Sequence, residues 1–305
     1  MKRNIYSKLW MISFVLMGAA CTNQVEDAIP VSGQPIEFSV QSDWKEIHNS
    51  RSNDKTQFGP NDEIQIFGFH KPFRDADENV QFMYKEGDPT TGQKVTYDNG
   101  NWNYSPKRFW PKKGVLDFLA SYPYNSVHYD VGNKRMTYNN NLTQDLLYGL
   151  ATNRDCASKE TVSIWMVHAL AKVRIILDES LGDIGQVTVS GYKTGHFSPI
   201  NNGVPAWEID NVNTHIYADF RKYEGKVDEE LKNNNSVTVF ILPDKITGLK
   251  MWNSVGQEID ASEEIKRHTF LAGKVYNLTI SKSNGVRKKN TNSRSIAMSV
   301  RCVSE

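Results

Sequence analysis

Cysteine is scarce in this chain. The 305 residues include three, Cys21, Cys156 and Cys302. None forms a C-x-x-C pair, the spacing that marks most cysteine zinc sites, and three cysteines cannot staple a disulfide-dense scaffold. Cys156 and Cys302 could pair in an oxidising compartment, but the sequence does not set their distance. Net charge is nearly absent, at +1. The first 20 residues carry Lys2, Arg3 and Lys8 without an acid, and the tail from Ser281 holds six basic residues against Glu305. Residues 21–280 therefore sum to −7. An acidic body argues against nucleic acid as a partner. Catalytic motifs are missing as well. There is no G-x-S-x-G, H-E-x-x-H, P-loop or dinucleotide glycine pattern. The seven histidines are scattered, and paired acids such as Asp62–Glu63 and Glu263–Glu264, if on strands, are expected to point to opposite faces. These absences lower the odds of an enzyme, and they call for no metal and no cofactor. No solenoid-length repeat is visible.

What is present begins with a leader. Lys2, Arg3 and Lys8 flank an apolar run, Leu9 to Ala20, too short to cross a bilayer as a helix. Gly18, Ala19 and Ala20 then lead into Cys21, the order of a lipoprotein signal (residues 1–20) whose cysteine is acylated. Gly18 stands three residues before Cys21, where such signals usually have Leu, so an ordinary signal peptide is the alternative. Residues 21–33 read as a linker. Glu26 and Asp27 there resemble the acidic surface-export signal of Bacteroidetes lipoproteins.

Period-two alternation, aromatics, β-branched residues and turn formers dominate the rest. Ile36–Val40, "IEFSV", reads as the first strand, and Asp62–Phe69 as another. Asp98-Asn99-Gly100 is a hairpin signal between "QKVTY" and "NWNYS". The longest apolar run, Thr161–Leu177, has helix length but is rich in Val and Ile. It reads as two strands with a break near His168–Ala171. Leu181–Gly185 marks a boundary, and strands of the same style follow. The expectation is an all-β sandwich fold in two domains, 34–180 and 181–281, followed by a basic spacer and strand at 282–305. His168, inside an apolar run, is expected to be a hydrogen-bonded core residue rather than a ligand or base. Trp44, Trp102, Trp110, Trp165, Trp207 and Trp252 are expected mainly in the core, with a sugar-stacking platform as the alternative.

An ordered set of segments then resembles the fimbrillin (Mfa-like) family of Bacteroidetes pilus proteins. The set is "NDEIQIFGF", "RFWPKKGVLDFLASYPY", "DLLYGLA", "VSIWMVHALAKVRIIL" and "TFLAGKVYNLTIS", which run from Asn61 to Ser281; with the first strand at Ile36 the resemblance covers residues 36 to 281. Asn61-Asp62 replaces the usual Gly-Asp, Phe109-Trp110-Pro111 replaces Tyr-Trp-Pro, and Met166 stands where Phe is common. The resemblance implies two transthyretin-like sandwiches, a lipid-anchored precursor in the outer membrane, and a structural or adhesive role in surface fimbriae. The implied partners are other fimbrial subunits and a host or bacterial surface receptor. A monomeric surface lipoprotein that binds glycan or host protein is the alternative. Some fimbrillins are matured at a basic residue after the first strand, which makes Arg51 the first candidate and Lys45 the second.

The tail "SRSIAMSVRC" carries Ile296, Met298 and Val300 at period two. "IAMSV" matches "IEFSV", whose Ile36, Phe38 and Val40 share one face. The expectation is that Ile296, Met298 and Val300 form a donor strand for a groove vacated by Ile36, Phe38 and Val40. A strand folding back onto its own sheet is the alternative.

Overall fold

A computed structural model describes residues 29–42, 57–71, 80–199, 205–282 and 298–304. The strands are β1 (Val31–Pro35), β2 (Phe38–Ser42), β3 (Glu63–Lys71), β4 (Val80–Met83), β5 (Gln93–Asp98), β6 (Asn101–Asn103), β7 (Phe109–Pro111), β8 (Val115–Tyr122), β9 (Val127–Asp130) and β10 (Arg135–Asn139). They continue as β11 (Leu147–Asp155), β12 (Val162–His168), β13 (Ala171–Leu177), β14 (Ile184–Phe197), β15 (Glu208–Arg221), β16 (Ser236–Ile241), β17 (Ile246–Asn253), β18 (Glu258–Asp260), β19 (Val275–Lys282) and β20 (Met298–Ser304). Among the described residues two short α-helices interrupt them, α1 (Glu229–Asn234) and α2 (Ser262–Ile265). The fold is all-β. Helix α1 forms because Asp228 caps it, accepting from the Leu231 amide at 2.8 Å.

The first large sheet runs β2-β12-β11-β8-β3-β5-β6, with β4 added to β3. Its inner face is apolar: Ile64, Ile66, Leu116, Phe118, Ala120, Val162 and Ile164 share one core. Both faces of β3 and β8 are covered, because Phe67, Phe69 and Leu119 belong to a second cluster on the other side. Gln65 is buried with them, and its amide donates to Ser121 Oγ at 2.8 Å and to the Val127 carbonyl at 2.7 Å. Double burial explains why "EIQIFGF" lacks a clean polar face. The β5–β6 turn uses Asn99 and Gly100 at φ 48° and 85°, the left-handed pair of a tight hairpin.

The second body has two facing sheets. One is β16-β13-β19-β20; the other is β18-β17-β14-β10-β9, with β15 paired to β14. Val173 and Ile175 of β13 meet Val187 and Val189 of β14 and Leu249 and Met251 of β17 in one core. Tyr129, Met136, Tyr138, Leu146, Tyr148, Ala169, Leu170, Phe197 and Leu242 form the cluster between the two bodies. Sheet membership changes at Ala169–Leu170, ahead of the division expected at residue 180. Two residues carry the chain from β12 in one sheet to β13 in the other. Strands β9 and β10 also lie in the second body's sheet, through β10–β14 pairing. The expected linker overlaps β1, which pairs antiparallel with β7.

Candidate functional site

Ile36, Phe38 and Val40 lie on one buried face, at 0%, 6% and 7% exposure, while Glu37, Ser39 and Gln41 are exposed. This is the expected alternation, and it seats the segment like a lid. Strand β2 runs parallel to β12, with Phe38 opposite Val162 and Val40 opposite Ile164. It is the terminal strand of its sheet path, so one main-chain edge pairs with β12 and the other faces no strand of that sheet. That edge is held by two side chains and one main-chain bond. Trp102 donates its indole N–H to the Val40 carbonyl at 3.3 Å, and Tyr104 donates its hydroxyl to the Ile36 carbonyl at 2.7 Å. The Ile36 amide donates to the Arg108 carbonyl at 2.8 Å. The Phe38 ring lies edge-on to Phe118 at 5.4 Å and tilted to Tyr104 at 5.8 Å. Under β2, therefore, lies an aromatic groove walled by Trp102, Tyr104 and Phe118.

Burial pushes the Tyr104 phenol up to about 12, against the smaller opposing effect of its bond with the Arg108 main chain. The hydroxyl thus remains a donor across the physiological range.

Tail residues 298–304 form β20, antiparallel to β19, with Val300 opposite Ile280 and Met298 opposite Lys282. β20 is the terminal strand of its sheet. The acceptor and donor candidates are therefore both terminal strands, on different sheets of the same chain. Cys21, Lys45, Arg51 and Ile296 lie outside the described residues.

Cys156 is a free thiol buried in the first core. Burial pushes that thiol up to about 12, with the Asp155 charge adding to the effect. His168 is buried as expected, and its Nδ1 meets the Asp145 carboxylate. Trp102 and Trp110 are core residues, whereas Trp165 is 54% exposed. Sequence reasoning missed the roles of Trp102 and Tyr104. The available signal was their period-two spacing directly after the Asp98-Asn99-Gly100 turn, which aims both at the same neighbour.

Comparison with known proteins gives a family and a fold. A sequence profile described as fimbrillin-like matches residues 50–297. No curated protein sequence matches the chain. Among solved structures, a candidate cell adhesion protein of Bacteroides uniformis superposes with a TM-score of 0.54 at 16% identity, covering 89% of this chain and 98% of that one. A candidate cell adhesion protein of Bacteroides ovatus gives a TM-score of 0.51 at 14% identity, covering 88% and 96%.

Proposed function

The chain belongs to the fimbrillin-like family, and from that premise we propose that it is a structural or adhesive subunit of a cell-surface fimbria, assembled by strand exchange. The observation that carries the assembly step is the seat of β2. A short terminal strand seals an apolar aromatic groove, and three side chains supply its burial. Removing it exposes about 1.5–3 kcal/mol of apolar contact per buried side chain, together with unpaired main-chain groups on β12. Such a groove demands a replacement strand. In this reading, cleavage at Arg51, or at Lys45, severs Ile36–Val40 from the rest of the chain and makes it displaceable. Ile296–Val300 of a neighbouring copy then enters in its place, with Ile296, Met298 and Val300 in the pockets of Ile36, Phe38 and Val40. The matching I-x-Φ-S-V order keeps the incoming strand parallel to β12. The spacer of about 12 residues before the donor reaches on the order of 40 Å when extended. Head-to-tail exchange does not close on itself, so it yields a filament.

Export through Cys21 as a lipidated precursor accounts for the leader and places the subunit at the outer membrane surface, within reach of other fimbrial subunits and of host or bacterial receptors. The Cys21→Ser variant then loses membrane fractionation; unchanged fractionation rejects that step.

One observation favours the second reading, a monomeric surface lipoprotein that binds glycan or protein. β20 already completes its own sheet against β19. Truncation after Ser281 separates the two. A folded monomer that no longer polymerises supports donation. An unfolded monomer assigns the tail to its own core, and unchanged fibres defeat the proposal.

A further inference from the structure

The second body carries a cleft of about 300 Å³ that strand exchange does not use. It lies at the start of β14, where Gln186 is flanked by Arg221 on β15 and by Trp252 on β17. Cross-strand neighbours share a face, so guanidinium, amide and indole form a row across three strands. The alternate residues Val187, Phe220 and Met251 point into the core. The row therefore lies on the outer face. Gly185 is an extra residue in the ladder, because Ile184 faces Asn253 while Gln186 faces Trp252. Such bulges re-aim neighbouring side chains. A Cβ at Gly185 would point at the Tyr223 ring, 3.6 Å away. The missing side chain leaves a floor between Tyr223 and Trp252.

The cleft is held in shape from behind. The Tyr223 hydroxyl donates to Asp183 at 2.7 Å, and Lys222 donates to the same carboxylate at 2.7 Å. Asp219 accepts from Gln186 Nε2 at 2.8 Å and from Arg221 Nε at 2.9 Å. Partial burial opposes ionisation of Asp219, but the bonds from Arg221, Gln186 and Thr188 outweigh it and hold its carboxyl below the ordinary value. Those contacts occupy Nε of Arg221 and Nε2 of Gln186, so the outer guanidinium nitrogens and the Gln186 carbonyl remain to serve the cleft. Tyr223 is 59% exposed although it is aromatic and held in place.

We propose that this cleft binds a pyranose unit of a glycan. A sugar ring has an apolar C–H face and a rim of hydroxyls. Trp252 and Tyr223 match the first; Arg221, Gln186 and Asn253 match the second. The volume sits at the lower end of the about 300–1,000 Å³ typical of small-molecule sites, room for one or two sugar units. Gly195, where β14 packs on Trp207 in the cluster between the bodies, is ten residues from Gly185, on the order of 30 Å along the strand. The cleft is thus remote from the β2 groove, and the assignment needs no polymerisation.

The test is saturation-transfer difference NMR on the full chain with methyl glycosides of glucose, mannose, galactose and N-acetylglucosamine at millimolar concentration. The expected result is a signal for at least one glycoside. Its affinity should fall tenfold or more in both Trp252→Ala and Gly185→Leu. The second variant fills the cleft without deleting a side chain, and Gly185 does not occupy the left-handed region that would bar a substitution. No signal with any glycoside, or a signal that survives Gly185→Leu in a folded protein, overturns the site. Either result leaves strand exchange to its own truncation test.

Discussion

The Tyr104 hydroxyl donates to the main-chain carbonyl of Ile36 at 2.7 Å, joining the loop after β6 to the segment that opens β2. β6 and β2 are opposite ends of one sheet path, so this bond and the Trp102–Val40 bond draw the two ends together. The first sheet curls around its core because these two side chains satisfy an edge that, among the described residues, no strand of that sheet covers.

Replacing Tyr104 by Phe keeps the ring contacts with Phe38 and removes the donor. A buried carbonyl left unpaired costs about 1–3 kcal/mol. The expected outcome is a lower urea midpoint, with hydrogen-exchange protection lost first in Ile36–Val40. Uniform loss across the chain, or none, would show that Tyr104 does not clamp β2.

Alkaline pH gives an independent handle on the same site. Tyr104 moves from an ordinary value near 10 up to about 12 on folding, chiefly by burial. The folded state favours the protonated phenol, so its contribution is fully present below pH 10 and is lost as pH rises towards 12. Cys156 moves in the same direction, from 9.0 to about 12, again by burial. Stability is therefore expected to fall through this window, less steeply in Tyr104→Phe. Equal slopes for variant and parent would remove Tyr104 from the account. In the same experiment Cys156 should resist thiol reagents until the chain unfolds.

Sequence reading reached the β class and the two strands within Thr161–Leu177 because β-branched residues and period two survive where one or both faces are buried. It also found the Ile36–Val40 alternation, whose outward residues are exposed. It missed β1, since "VSGQP" has no apolar pattern and pairs only with the three-residue β7. It missed β9 and β10 because His128, Asp130, Arg135 and Thr137 dilute the apolar signal. Their buried partners Val127, Tyr129, Met136 and Tyr138 face the cluster between the bodies, which only the folded chain assembles. The cleft at Gly185 was illegible for a similar reason. Gln186, Arg221 and Trp252 become neighbours through pairing of three strands remote in sequence. Trp252 alone could not be told from a core indole.

His168 is expected to be structural. Its Nδ1 meets the Asp145 carboxylate, whose other oxygen accepts from the Leu146 amide at 2.8 Å. The pair fixes the entry to β11 against the end of β12. His168→Ala should lower stability by about 1–3 kcal/mol by stripping a partner from Asp145. Sugar binding at the Gly185 cleft, measured in the same variant, should not change. A stable variant that had lost a binding activity would instead give His168 a functional role.

The last prediction concerns what happens when the chain is cut at Arg51. Ile36, Phe38 and Val40 are each less than a tenth exposed. Burial contributes about 1.5–3 kcal/mol per side chain, so the three together are worth on the order of 5–9 kcal/mol. That is comparable with the whole stability of an ordinary domain, about 5–15 kcal/mol. A nicked subunit should therefore keep its N-terminal fragment bound and remain folded, because losing the strand without a substitute costs too much. Exchange should need a competitor that refills the same pockets and restores the β12 pairing. A synthetic peptide covering Ser293–Val303 should release the N-terminal fragment from nicked protein, and a peptide with Ile296, Met298 and Val300 replaced by Ser should not. Native mass spectrometry of the mixture reads both outcomes directly. Spontaneous loss of the fragment on nicking would mean that β2 is weakly held. Retention of the fragment against excess donor peptide would mean that the tail is not its replacement, and β20 would then be simply the outer strand of its own sheet.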